Sequence, residues 1–156
     1  RIGAEEGVVI DVPGHTVGHV AYHFAGPALL FTGDSLMAFG CGRLFEGSAA
    51  QMWQSLSTLA ALPGETLVCS GHEYTAANAR FALSLGVADP ALAARAEAVA
   101  AARAGGRATV PSLLSEERAT NPFLRAADPG LRRALGMEGA GDAEVFAALR
   151  SRKDRF

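Results

Sequence analysis

Three short segments of this chain place metal-competent side chains directly after apolar, strand-like runs: Pro13-Gly14-His15-Thr16-Val17-Gly18-His19, Thr32-Gly33-Asp34 and Ser70-Gly71-His72-Glu73-Tyr74. His15, Asp34 and His72 each follow a glycine, so several strand ends can aim them at one point. Imidazole nitrogen and carboxylate oxygen are donors that zinc, iron and manganese accept. Asp34 has a further capacity: its two oxygens can bridge cations about 3.5–4 Å apart, as two-metal hydrolases require. Taken singly, a His or Asp in a loop is an ordinary solvated residue. Spacing alone does not choose between that reading and a ligand set.

The elements that must hold these side chains have two textures. Residues 8–12 are β-branched and stop at Pro13-Gly14, a turn signal. Residues 19–24 alternate loosely, 28–31 read as a buried strand ending at Gly33, and 67–69 as another leading into Gly71-His72. The glycine-rich stretch 37–47 reads as an irregular loop that approaches something closely. Ser48 to Gln51 is a capping box, followed by Met52, Trp53, Leu56 and Leu59 at helical spacing.

Beyond Tyr74 the chain reads as helical. A helix over 75–85 stops at Gly86, and Asp89-Pro90 opens an Ala-rich one that ends at Gly105-Gly106. A last helix begins near Asp142 and carries Val145, Phe146 and Leu149 into the basic end Arg150-Ser151-Arg152-Lys153-Asp154-Arg155-Phe156. The fold class is therefore α+β, with a strand-rich part over 1–75 and a helical part over 76–156.

Hydrophobic residues at 49% and charged residues at 19% can supply a core and exclude a disordered chain. No apolar run approaches the roughly 20 residues of a membrane span, and no signal segment opens the chain. Cys41 and Cys69 are too few for a disulfide framework, so a reducing cytoplasm is the expectation. The net charge of −2 hides an asymmetry. Residues 1–75 carry two basic side chains against seven acids, a net −5, and residues 76–156 carry twelve against nine, a net +3. The acidic half suits cations and the basic half an anionic substrate, and two ordinarily solvated surfaces would give the same asymmetry. The first residue is Arg1, so we expect the chain to begin inside a longer sequence.

In order along the chain, PGHTVGH, FTGD, GCGRLFEG, SGHEYT, NPF and RSRKDRF resemble the hydroxyacylglutathione hydrolases, or glyoxalase II, of the metallo-β-lactamase fold superfamily. The resemblance runs from about residue 8 to Phe156, and GCGRLFEG, GHEYT and RSRKDRF are its more specific parts. It implies the second half of an αββα sandwich over 1–75, followed by a helical substrate-binding domain over 76–156. His15 would be a ligand of a first divalent metal, Asp34 the bridging ligand, and His72 a ligand of a second, with zinc foremost and iron or manganese as alternatives. The family's remaining ligands come from an upstream HxHxDH motif, which this sequence lacks. The expectation is a truncated chain, inactive and weakly metal-binding by itself.

The resemblance also implies the reaction: a metal-bridged hydroxide cleaves the thioester of S-(2-hydroxyacyl)glutathione, typically S-D-lactoylglutathione, to a 2-hydroxy acid and glutathione. Tyr74 and the segment from Arg43 to Phe45 match positions that hold the glutathione moiety, and Arg150 with Lys153 match a basic pair that meets its glycine carboxylate. Fork-shaped Arg and point-charged Lys both suit that anion. Some members carry Lys and Tyr where this chain has Arg43 and Phe45. His19 reads as a histidine that orients a ligand, His23 as structural, and Cys41 as a packed thiol. The expected partner is the glutathione thioester, with no nucleic acid or membrane, in a monomer when complete. Two rivals stand beside this reading: a persulfide dioxygenase of the same superfamily, and a non-catalytic fragment acting as a binding module.

Overall fold

A computed structural model describes all 156 residues. Strands β1 (Val8–Asp11), β2 (Val20–Phe24) and β3 (Leu29–Gly33) form an antiparallel meander. The chain then runs through a small hairpin, β4 (Leu36–Met37) with β5 (Gly40–Cys41), and helix α1 (Ala49–Ala60) before β6 (Leu67–Ser70). Because β6 lies parallel to β3, it needs this long crossover. Ser48 and Gln51 cap α1 reciprocally, as their spacing predicts.

Helices α2 (Thr75–Ser84) and α3 (Pro90–Ala104) follow, the second capped by Asp89 with proline at its first position. The segment Ser112–Leu113 then returns to the sheet as β7, beside β6, giving the order β1-β2-β3-β6-β7. Three more helices complete the chain: α4 (Leu114–Thr120), α5 (Pro129–Leu135) and α6 (Asp142–Asp154), with a 3-10 turn over Pro122–Leu124. The α+β class stands. Two details differ from expectation: the stretch 37–47 contains the β4–β5 hairpin, and the region after residue 75 supplies an edge strand.

The two faces of the sheet have different fates. Ala21, Leu30 and Val68 face a core built with Met52, Leu56 and Leu59 of α1 and Val145, Phe146 and Leu149 of α6. On the opposite face, Val9, Tyr22 and Phe31 are cross-strand neighbours in one row, and all three are exposed. A smaller core joins Phe39 of the β4–β5 turn to Ala79, Ala82, Leu92, Ala96 and Val99 of α2 and α3. No helix is long and apolar enough to cross a membrane.

Candidate functional site

His15 lies in the turn between β1 and β2. That turn is closed by the Val12 amide on the His19 carbonyl at 2.9 Å and anchored by Ser55 Oγ of α1 on the Pro13 carbonyl at 2.7 Å. Gly14 adopts a φ of +151°, and a Cβ there would stand 2.7 Å from that of Met52, so only glycine lets the turn approach α1. His15 Nδ1 is 2.8 Å from the Arg43 carbonyl. A carbonyl only accepts, so Nδ1 carries the proton and the Nε2 lone pair is left free.

That Nε2 faces Asp34 Oδ2 at 3.6 Å, and His72 Nε2 faces the same oxygen at 3.5 Å. Asp34 follows Gly33, whose φ of +52° ends β3. The Asp34 amide donates to His19 Nε2 at 3.1 Å, so His19 contacts the backbone of Asp34. Gly71 and Gly42 admit no bulk here. A Cβ at Gly71 would lie 3.0 Å from Asp34 Oδ1, and one at Gly42 would lie 1.9 Å from the Asp34 carbonyl oxygen. The His72 ring stacks on Tyr74, 5.3 Å between centroids.

The donor set fits a cation on each side of Asp34. An imidazole nitrogen bearing a lone pair points at a carboxylate oxygen, and Asp34 Oδ1 is buried without any hydrogen-bond partner. Both imidazoles face Asp34 Oδ2, and Oδ1 is the oxygen left without a partner. Nowhere do three or more His, Cys, Asp or Glu side chains form a cluster able to hold an ion by themselves. The donors are two imidazoles converging on one carboxylate, short of the three or four ligands of a tight site.

These three residues open into a cavity of about 600 Å³ that Arg43, Phe45, Tyr74, Arg150 and Lys153 also line. The structure thus brings together every residue singled out for metal or substrate, while His19 stands behind Asp34. Arg43, Phe45 and Tyr74 are largely exposed. Phe45 packs on the His15 ring, 4.9 Å between centroids. Arg150 is nearly buried, donating to the Cys41 carbonyl at 2.9 Å and to Asp154 at 2.9 Å. Lys153 lies over the rings of Phe81 and Phe156. Burial, together with the charges of Arg150, Arg80 and Arg43, pulls its pKa below the ordinary lysine value.

Cys41 also reaches the cavity, but burial pushes its thiol up to about 11, against the opposing pull of Arg150. A thiol so protonated is no nucleophile, in keeping with the packed-thiol reading. Asn78 and Asp154 were not singled out from the sequence, and both line the cavity. Asn78 lies four positions after Tyr74 and Asp154 four after Arg150, so helical periodicity was the available signal.

A family model described as "Hydroxyacylglutathione hydrolase C-terminus" matches residues 73–156, and one described as "Metallo-beta-lactamase superfamily" matches residues 2–72. A hydroxyacylglutathione hydrolase of Cereibacter sphaeroides is 64% identical over 156 residues, which are all of this chain and 61% of that protein. One of Ruegeria pomeroyi is 65% identical over 148 residues, 95% of this chain and 58% of its own length. The crystal structure of ETHE1 from Myxococcus xanthus is similar with a TM-score of 0.60 at 27% identity, covering 97% of this chain and 47% of that one. The chain therefore spans about three fifths of the length of the curated relatives it matches.

Proposed function

Since this chain belongs to the hydroxyacylglutathione hydrolase family, within the metallo-β-lactamase superfamily, we propose that it forms part of a thioesterase whose substrate is an S-(2-hydroxyacyl)glutathione. The observation that carries the reading is the convergence of His15 and His72 on one oxygen of Asp34, inside a cavity that also holds Arg43 and Lys153. In this reading S-D-lactoylglutathione is cleaved to D-lactate and glutathione. Residues 1–75 supply half of the catalytic sandwich, and residues 76–156 are the substrate-binding domain. The complete protein acts as a cytoplasmic monomer, and the two unpaired cysteines of this chain suit such a compartment.

Two divalent cations, zinc foremost, would be held by His15 and Asp34 on one side and by Asp34 and His72 on the other. When bound, they supply the Lewis acidity that acidifies water at neutral pH and polarises the thioester carbonyl. The Arg43 carbonyl keeps the proton on His15 Nδ1, so Nε2 is always the donor presented. His19 Nε2 holds the Asp34 amide and thereby aims the carboxylate. Arg150 with Lys153 meets the glycine carboxylate of glutathione, Arg150 being held by the Cys41 carbonyl, and the exposed Arg43 holds the same moiety. Tyr74 and Phe45 flank the tripeptide. The thiolate that leaves is a weak base, so no strong general acid is required.

One imidazole per cation and a shared carboxylate are too few for tight binding, so the 156 residues alone bind metal weakly and do not turn over. Metal analysis and thioester hydrolysis should be measured together, on this chain and on its fusion to the rest of a full-length relative. The fusion is expected to bind two equivalents of zinc and hydrolyse S-D-lactoylglutathione, and Asp34→Asn to lose both properties. A fusion that consumes oxygen on glutathione persulfide, or one in which Asp34→Asn changes neither metal content nor rate, would overturn the reading.

A further inference from the structure

Residues 37–43 lead from the Asp34 turn to the cavity wall. Met37, Cys41, Gly42 and Arg43 line the cavity, and the Arg43 carbonyl accepts a hydrogen bond from His15 Nδ1. Locally it is closed by the short β4–β5 hairpin and by the Gly42 amide on the Ser35 carbonyl at 3.0 Å. Phe39, fully buried, adopts a φ of +59°, a left-handed conformation that bulky residues avoid. The side-chain anchors of the stretch come from the helical region. Glu117 of α4 is completely buried, and its Oε2 accepts the Phe39 amide at 2.9 Å and Asn121 Nδ2 at 3.0 Å. Asn121 Nδ2 also reaches the carbonyls of Met37 at 3.2 Å and Gly40 at 3.0 Å, while Asn78 Nδ2 takes that of Ala38 at 3.1 Å.

The Glu117 charge is matched by Arg95 of α3, which bonds Glu117 Oε1 and, at 2.8 Å, Thr120 Oγ1. The Arg95 guanidinium lies 4.1 Å from the centroid of the Phe39 ring. A buried ion pair is a poor way to gain stability, because desolvation offsets the attraction and apolar residues of similar volume do as well. This one is spent on a single strained turn. We propose that Glu117, with Arg95 and Asn121, is a positioning group of the site: it fixes residues 37–43 so that the Arg43 carbonyl selects the His15 tautomer and the cavity wall is preformed. The proposal rests on the thioesterase reading for its substrate, yet its effect on His15 and on the Phe39 amide needs no substrate.

Glu117→Gln keeps an acceptor for Phe39 but removes the charge that Arg95 matches, and Asn121→Ala releases Met37 and Gly40. Leu131→Ala, in the core contributed by α5 and outside the clamp, serves as a comparator of destabilisation. On the metal-free chain, nitrogen NMR reads the His15 tautomer, hydrogen exchange reads the Phe39 amide, and calorimetry reads glutathione affinity. Both clamp variants leave the Phe39 amide an acceptor but weaken what holds it, and are expected to speed its exchange about tenfold. They are also expected to mix the His15 tautomers and to weaken glutathione binding by a similar factor, while Leu131→Ala leaves all three as in the wild type. If the clamp variants keep the His15 tautomer, or Leu131→Ala shifts it equally, the proposal is overturned. Failure of the unaltered chain to bind glutathione would instead sink the thioesterase reading and leave the His15 and Phe39 readouts to decide the clamp. Should Glu117→Gln not fold, Asn121→Ala carries the same decision.

Discussion

At the scale of single residues, the site depends on partners that hold its side chains still. His19 illustrates this: its Nε2 takes the Asp34 amide, so His19→Ala leaves the carboxylate in place but loosens its aim. Orienting partners of this kind are worth about 10- to 100-fold in metal affinity. Zinc titration of the fused enzyme should register that loss for His19→Ala, with thermal stability little changed. Lys153 carries a prediction about pH. Its pKa lies below the ordinary lysine value, first through burial and then through its Arg neighbours, so its charge disappears earlier as pH rises. Affinity for S-methylglutathione should therefore fall, relative to Lys153→Arg, at a pH below the ordinary lysine value of about 10.4. Identical pH profiles for the two proteins would refute the assignment. His15, Asp34 and His72 stand out in the sequence because each follows a glycine after a strand-like run, and it is the family resemblance that reads them as ligands instead of solvated residues. Glu117 and Arg95 were not: one sits on a short helix, the other on an Ala-rich one, and their contact spans 22 positions.

At the scale of elements, legibility followed capping chemistry and length. α1, α3 and α6 carry cap signals and run 12, 15 and 13 residues, long enough for a period to show. The hairpin strands β4 and β5 and the strand β7 are two residues each, and α4 and α5 only seven, so neither alternation nor periodicity can declare them. The cap of α3 is also a joint, since Asp89 both accepts the Ala91 and Leu92 amides and pairs with Arg125 at 2.5 Å. Asp89→Ala should cost about 1 kcal/mol in urea unfolding at neutral pH, the worth of an N-cap. Burial alone would raise the pKa of Asp89 and of Asp128; hydrogen bonds from helix-start amides and Arg125 outweigh it and hold both below the usual carboxylate range. A carboxylate depressed in the folded state stabilises above its unfolded value, about 3.9, and that stability is lost as pH falls through the lower folded values. Urea midpoints followed from pH 5 to about pH 2 should thus fall less steeply in the double variant Asp89→Asn, Asp128→Asn than in the unaltered chain.

At the scale of the whole molecule, the exposed row of Val9, Tyr22 and Phe31 leaves one face of the sheet without a cover, and β1 leaves one edge unpaired. Apolar surface of this kind promotes association. The 156-residue chain is expected to self-associate at tens of micromolar and to bind a hydrophobic dye. Phe31→Lys should suppress both without lowering the urea midpoint, and sedimentation velocity would check it. A strictly monomeric, dye-free chain would mean that the row is less sticky than its composition indicates. The division near residue 75 follows texture in the sequence, and hydrogen bonds cross it. Ser112 and Leu113 are hydrogen-bonded beside β6, and Glu73 accepts the Thr109 amide at 2.8 Å. The helical region is therefore no cassette that genetic recombination could hand to another scaffold intact: exchanged at residue 75, it would arrive with a strand seeking a sheet, and its donor would be left with a bare β6.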